Sequence, residues 1–162
     1  MKQLENKVAV VTGVGSGIGK AISLAFAKEG ASLGIGDIND SLLSKTNDEI
    51  KQDTQNVIAL NTDVSSEDQV KKLIDDTVNA YGKLDVIVNN VSVAIGGYPI
   101  TDMSNQDWQK ILAINFSSVF YGCKHSIPYL KKNNGGSIIN IASVQAHTPL
   151  PVSYTHLRAH ET

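Results

Sequence analysis

Short runs of apolar, mostly β-branched residues alternate along this chain with longer stretches in which apolar positions recur every three or four residues. The short runs are KVAVVT (Lys7 to Thr12), ASLGIG (Ala31 to Gly36), VIALN (Val57 to Asn61), LDVIVN (Leu84 to Asn89) and SIINIAS (Ser137 to Ser143), and they are predicted strands. Most are continuously apolar, the pattern of parallel strands covered by helices on both faces. The longer stretches predict helices over Gly17 to Glu29, Ser41 to Lys51, Glu67 to Tyr81 and Asp107 to Leu130, and Ser65-Ser66-Glu67-Asp68 has the composition of a capped helix start. Strand and helix in strict alternation predict an α/β fold, a doubly wound parallel sheet in three α-β-α layers.

Composition narrows the class. With 162 residues, 41% hydrophobic and 19% charged, the chain has the length and apolar content for one sizeable core. No repeat, low-complexity tract or linker asks for a second domain. A net charge of -2, without a basic stripe, argues against nucleic acid as a partner. The single Cys123 cannot close an internal disulfide, and MKQLENKVAVV lacks the apolar stretch of a signal peptide, so a cytoplasmic protein is expected. No run approaches the roughly 18 apolar residues of a membrane span, and no metal site is predicted.

Candidate chemistry begins where the first strand runs into TGVGSGIG, Thr12 to Gly19. Glycines allow a sharp turn there and let backbone N–H groups approach a pyrophosphate, while the helix that follows offers unpaired donors and a partial positive charge. The spacing differs from G-x-G-x-x-G, because Ile18 stands three past Gly15, but it matches T-G-x-x-x-G-I-G. In this context the pattern resembles the short-chain dehydrogenase/reductase family, which implies a Rossmann fold and an NAD(P)-dependent oxidoreductase.

The resemblance implies cofactor contacts from Gly13, Gly15, Ser16, Gly17, Ile18 and Gly19. Asp37, at the end of the second strand, stands where such folds place a carboxylate on the adenosine ribose. A ribose phosphate would face that charge with no Arg or Lys in Val14 to Ser16 to offset it, so NAD is favoured over NADP. The plain alternative is a loop acid that caps the next helix. Asp63 and Val64 resemble the pair that borders the adenine, with helix capping as their alternative. Asn89-Asn90-Val91-Ser92 stands for the family's N-N-A-G: both asparagines match, with Asn90 bordering the cofactor, while Val91 and Ser92 depart from it.

Within WQKILAINFSSVFYGCKHSIPYL, Asn115 interrupts an apolar helical face, where a buried amide needs a partner. N-F-S-S-V-F resembles the segment whose asparagine holds a water in the family's proton relay; the alternative is an amide satisfied by a nearby carbonyl. Trp108, Ile111, Phe116, Val119 and Phe120 are expected to form core or a dimer face, making a homo-oligomer through this helix the expected assembly. Ser143 closes IINIAS where the family places the serine that steadies the substrate oxygen; a strand-end serine bonding its own turn is the alternative.

Family chemistry next needs a tyrosine and, one helical turn later, a lysine that lowers the phenol's pKa. Tyr154 and Arg158 have the i, i+4 spacing, but Tyr154 falls two residues short of the family position and Arg158 is not a lysine. The whole stretch from Val152 to Thr162 matches the translation of a transposon-end adapter used in sequencing libraries. The expectation is therefore a Rossmann domain over residues 1–151, truncated after its fifth strand, and a non-native tail over 152–162. The parent would move hydride between a nicotinamide and an alcohol or ketone, such as a 3-oxoacyl thioester or a small secondary or sugar alcohol. The fragment would be inactive, and a dinucleotide-binding module without turnover is the competing class.

Overall fold

The computed structural model describes residues 2–97 and 99–143. In chain order it contains β1 (Val8–Thr12), α1 (Gly17–Lys28), β2 (Ser32–Asp37), α2 (Asp40–Ile50), β3 (Val57–Asn61), α3 (Glu67–Tyr81) and β4 (Val86–Asn89). A short 3-10 turn (Ile100–Asp102) leads to α4 (Asn105–Leu112), a π-helical turn (Ala113–Ser117), α5 (Ser118–Lys132) and β5 (Ser137–Asn140). All the pairings are parallel, and the strand order is β3-β2-β1-β4-β5. The chain winds outward from β1 to β3, then crosses back through α3 to place β4 on β1's other side.

The continuous apolar runs have their reason in the two faces of this sheet. Along β1, Ala9 and Val11 join Leu33, Ile35 and Val88 in a core under α1 and α2, whereas Val10 joins Ile87 in a second core under α3 and α5. Val10, Val11, Leu33, Ile35 and Ile87 are fully buried; each such side chain contributes about 1.5–3 kcal/mol on leaving water. Gly34, a weak strand former, sits where α3 comes closest: a Cβ there would meet the Thr77 hydroxyl at 1.8 Å.

At the N-terminal edge of the sheet, Asp85 ties the layers together. It accepts from the Val8 N–H at 2.9 Å, Lys7 Nζ at 3.2 Å and Asn133 Nδ2 at 3.1 Å, and it pairs with Lys83 at 3.0 Å. Burial pushes its carboxyl pKa up, but the Val8, Lys83, Lys7 and Asn133 donors outweigh this and hold it below the ordinary carboxylate value.

Several sequence expectations are corrected. β5 ends at Asn140, so Ser143 lies past the strand rather than in it. The helix expected over Asp107 to Leu130 starts at Asn105, because Ser104 caps it by accepting the Asp107 N–H at 3.0 Å, and a π turn divides it at 113–117. Ser66 occupies the cap position of α3 without a side-chain cap bond; the local bonds come instead from Asp63, whose carboxylate accepts the Ser65 N–H and hydroxyl. Of the two alternatives for Trp108, Phe116 and Phe120, core or dimer face, exposure rules out the core: they are 46%, 72% and 56% exposed, on α4, the π turn and α5. No helix among the described residues is long and apolar enough to cross a membrane.

Candidate functional site

The reversal of strand order between β1 and β4 opens a crevice at their C-terminal ends, the place where open α/β sheets take ligands. It has a volume of about 920 Å³. Gly13, Ser16, Gly17, Ile18, Asp37, Asp63, Val64, Asn90, Asn115 and Ser143 all line it. Ten of the twelve candidate residues therefore meet in one cavity. Gly15 and Gly19 do not line it; they lie beneath it, where their lack of a side chain sets the shape of the turn.

That shape is tightly determined. The Gly13 N–H donates to the Gly36 carbonyl at 2.8 Å, and the Gly15 N–H donates to Asp37 Oδ2 at 2.8 Å. A Cβ on Gly19 would stand 2.2 Å from the Gly13 carbonyl oxygen and 2.5 Å from Asn90 Nδ2, so only glycine lets α1 begin against the turn. Asn90 fastens the same turn from β4: its Nδ2 donates to the carbonyls of Thr12 at 3.0 Å and Gly13 at 3.1 Å.

The start of α1 is electrostatically open. Ser16 holds the cap position in extended backbone without a side-chain cap bond, and the first turn carries no acidic residue. Each of α2, α3 and α4, by contrast, has an acid in its first turn, and Asn39 and Ser104 cap α2 and α4. Gly17, at φ +57, would place a Cβ in space with nothing within 4 Å, so the approach to these N–H groups is unobstructed. The first N–H groups of a helix lack intrahelical acceptors, and with the macrodipole they attract an anion.

Asp37 is held rigidly: Oδ2 takes the Gly15 N–H and Oδ1 the Asn39 N–H at 2.9 Å. It does not cap α2; Asn39 does, accepting from Leu42. Asp37 and Asp63 are the charged residues of the lining, and no Lys, Arg or His joins them among the described residues. The perturbed carboxyls of Glu67, Asp75 and Asp85 all lie outside the crevice; that of Glu67 is lowered by hydrogen bonds from Lys124 and His125.

Asn115 departs from the buried amide that its apolar surroundings suggested. It is exposed, in the π turn, and pairs with the Val93 backbone in both directions: Val93 N–H to Oδ1 at 2.8 Å and Nδ2–H to the Val93 carbonyl at 2.8 Å. The extra residue in the π turn swings this side chain out of the helix ladder towards the loop after β4. Val119, expected in core or at a dimer face, lines the crevice instead. Ile38, Thr62, Val93 and Ile141 also line it and were not singled out from sequence; an exposed isoleucine directly after the strand-end acid was the one legible signal, Ile38 being 65% exposed. Tyr154 and Arg158 lie outside the described residues.

Similarity to known proteins agrees with this architecture. The family model described as short chain dehydrogenase matches residues 7–155. The 3beta-hydroxysteroid dehydrogenase 2 of Eggerthella lenta is 34% identical over 142 residues, 87% of this chain and 55% of that protein. Glucose 1-dehydrogenase 2 of Bacillus subtilis is 36% identical over 155 residues, 94% of this chain and 60% of that protein. The crystal structure of an NAD+-bound xylitol dehydrogenase superposes with a TM-score of 0.87 at 30% identity, covering 93% of this chain and 58% of that one. The chain thus spans between half and two thirds of the length of these relatives. With the T-G-x-x-x-G-I-G turn, the parallel sheet and the crevice in place, the chain belongs to the short-chain dehydrogenase family.

Proposed function

We propose that this chain is the dinucleotide-binding part of an NAD-dependent oxidoreductase acting on an alcohol or ketone. The observation that carries this is the uncapped N-terminus of α1 opening into the same crevice as Asp37, Asn115 and Ser143. The residues fit a nicotinamide dinucleotide. Ser16, Gly17 and Ile18 would hold the diphosphate on backbone N–H groups, Asp37 the adenosine ribose hydroxyls, and Asp63 and Val64 the adenine edge, with Asn90 keeping the turn in shape. NAD is favoured because a ribose phosphate would meet Asp37 and Asp63, the only charged lining residues among the described ones.

When bound, the nicotinamide accepts a hydride from an alcohol carbon or returns one to a ketone. Ser143 would orient the substrate oxygen. Asn115, whose pairing with Val93 leaves one amide N–H and one oxygen lone pair, would hold a relay water. No Tyr, Lys, His or Cys lines the crevice among the described residues, so the group that moves the proton is not among them. The chain alone is expected to bind dinucleotide without turning substrate over because Tyr154 and Arg158 miss the family's tyrosine and lysine positions in the sequence. The relatives are named for a hydroxysteroid, glucose and xylitol, which supports a small alcohol or ketone as substrate. The exposed aromatic face of Trp108, Phe116 and Phe120 supports assembly of like chains in a cytoplasmic enzyme.

Titration of the purified chain with NADH and NADPH by fluorescence tests this. NADH should bind more tightly; a preference for NADPH would overturn the cofactor assignment, and binding of neither would overturn the function. Robust alcohol oxidation abolished by Tyr154→Phe would overturn the expected lack of turnover.

A further inference from the structure

Among the described residues, five hydroxyl side chains are buried within helices: Ser23, Thr46, Thr77, Ser118 and Ser126. Four of them donate to a carbonyl three or four residues earlier in the chain, Ser23 to Gly19, Thr77 to Leu73, Ser118 to Ile114 and Ser126 to Cys123, the usual way a helix satisfies such a group. Thr46, fully buried in α2, does not. Its hydroxyl leaves the helix and donates to the carbonyl of Val14 in the glycine turn at 2.9 Å, across 32 residues of sequence.

That bond meets another on the same peptide unit. The Val14 carbonyl and the Gly15 N–H belong to one planar group, and the Gly15 N–H donates to Asp37 Oδ2 at 2.8 Å. Thr46 and Asp37 thus grip the peptide at its two ends, which stops its rotation although Gly15 has no side chain to restrict it. Leu42, one turn before Thr46, closes the space beside it: its Cβ lies 3.0 Å from where a Cβ of Gly15 would be. Glu49, about one turn after, pairs with Lys20 of α1 at 2.7 Å. α2 therefore presents Leu42, Thr46 and Glu49, at i, i+4 and i+7, to the turn and the start of α1. The N–H groups that follow, from Ser16 on, are those that receive the diphosphate in the reading above, on which this inference rests. Their direction is set by the peptide before them. We infer that Thr46 is a positioning residue for dinucleotide binding: acting through the Val14 carbonyl, it holds the peptide between Val14 and Gly15 so that the following N–H groups are aimed before the ligand arrives, which lowers the cost of ordering them on binding.

The test uses the whole chain, native and as Thr46→Val and Thr46→Ser. Valine has the shape of threonine without the hydroxyl, and serine keeps the hydroxyl. Calorimetric titration with ADP and NADH, both of which carry a diphosphate, is combined with backbone amide hydrogen exchange of the free proteins. Thr46→Val should weaken both ligands by about three- to tenfold, the range of one hydrogen bond, and speed exchange at Gly15 by a similar factor while the Val10 and Val11 amides of β1 stay as slow as before. Thr46→Ser should restore most of both. Unchanged affinity for either ligand overturns the inference, and so do β1 amides that speed up as much as Gly15, which would show a general loosening. A native Gly15 amide that exchanges as freely as an unfolded one overturns it too, whether or not the valine variant folds. If the native chain binds neither nucleotide, the dinucleotide reading itself fails and the inference with it, a result seen before any substitution is made.

Discussion

The Asp37 carboxylate accepts the Gly15 backbone N–H at 2.8 Å across 22 residues of sequence, tying the end of β2 to the turn that starts α1. One residue thus shapes the glycine turn and carries negative charge into the crevice.

Separating those two roles gives the first prediction. Asp37→Asn keeps an oxygen for the Gly15 N–H but removes the charge. Two like charges about 4 Å apart repel by about 1 kcal/mol in water and about 4 near a protein surface. The ratio of NADPH to NADH affinity should therefore rise by about tenfold or more, with NADPH tightening most. Competitive titration checks it, and an unchanged ratio would remove Asp37 from the discrimination.

Gly19 and Gly17 should respond oppositely to the same substitution. Gly19→Ala drives a methyl into the Gly13 carbonyl oxygen and Asn90, neither of which can yield without opening the turn; a loss of about 3 kcal/mol or more is expected. Gly17→Ala meets open space and carries only the strain of φ +57, about 1 kcal/mol. Urea denaturation of the two variants measures the difference.

The pairing of Asn115 with Val93 should hold the loop after β4. Asn115→Leu removes both hydrogen bonds, about 1 kcal/mol each in net terms. Limited proteolysis should then cut faster within residues 93–97, with little change at α1 or α2. Unaltered cleavage would show that the loop is held by other contacts.

Asp85 gives a pH signature. Its folded pKa is lowered below the unfolded value of about 3.9, so its contribution is complete above about pH 4 and is lost as pH falls through the folded value. Asp85→Asn should cost about 1–3 kcal/mol at pH 7, and the gap to the native chain should close below about pH 4. A gap that stays constant into acid would show that the ionised form contributes nothing.

Much of this was legible before any coordinates. β3 and α3 run over the residues that the apolar runs and periodicity marked, α3 ending at Gly82, whose φ of +80 closes the helix. The glycine turn, Asp37, Asp63 and Asn90 reach the crevice because they sit at strand ends, and strand ends of a parallel sheet share one edge. Less legible was everything that depends on how two segments meet. The π turn at 113–117 inserts one residue into a helical repeat that looks regular in sequence, and that insertion turns Asn115 outward onto Val93. Val119 lies on an apolar face like its neighbours, and only the position of β4 makes it crevice lining rather than core.

The sequence by itself determined the alternation of strands and helices, the parallel sheet and the glycine turn ahead of α1, because these follow from period, β-branching and glycine placement along a single stretch of chain. Only the tertiary structure decided that Asn115 clamps Val93 and that Asn39 and not Asp37 caps α2. Asn115 and Val93 stand 22 residues apart and meet only through packing, and the Asp37 carboxylate is engaged by the Gly15 N–H, likewise 22 residues away, while its neighbour Asn39 caps the helix.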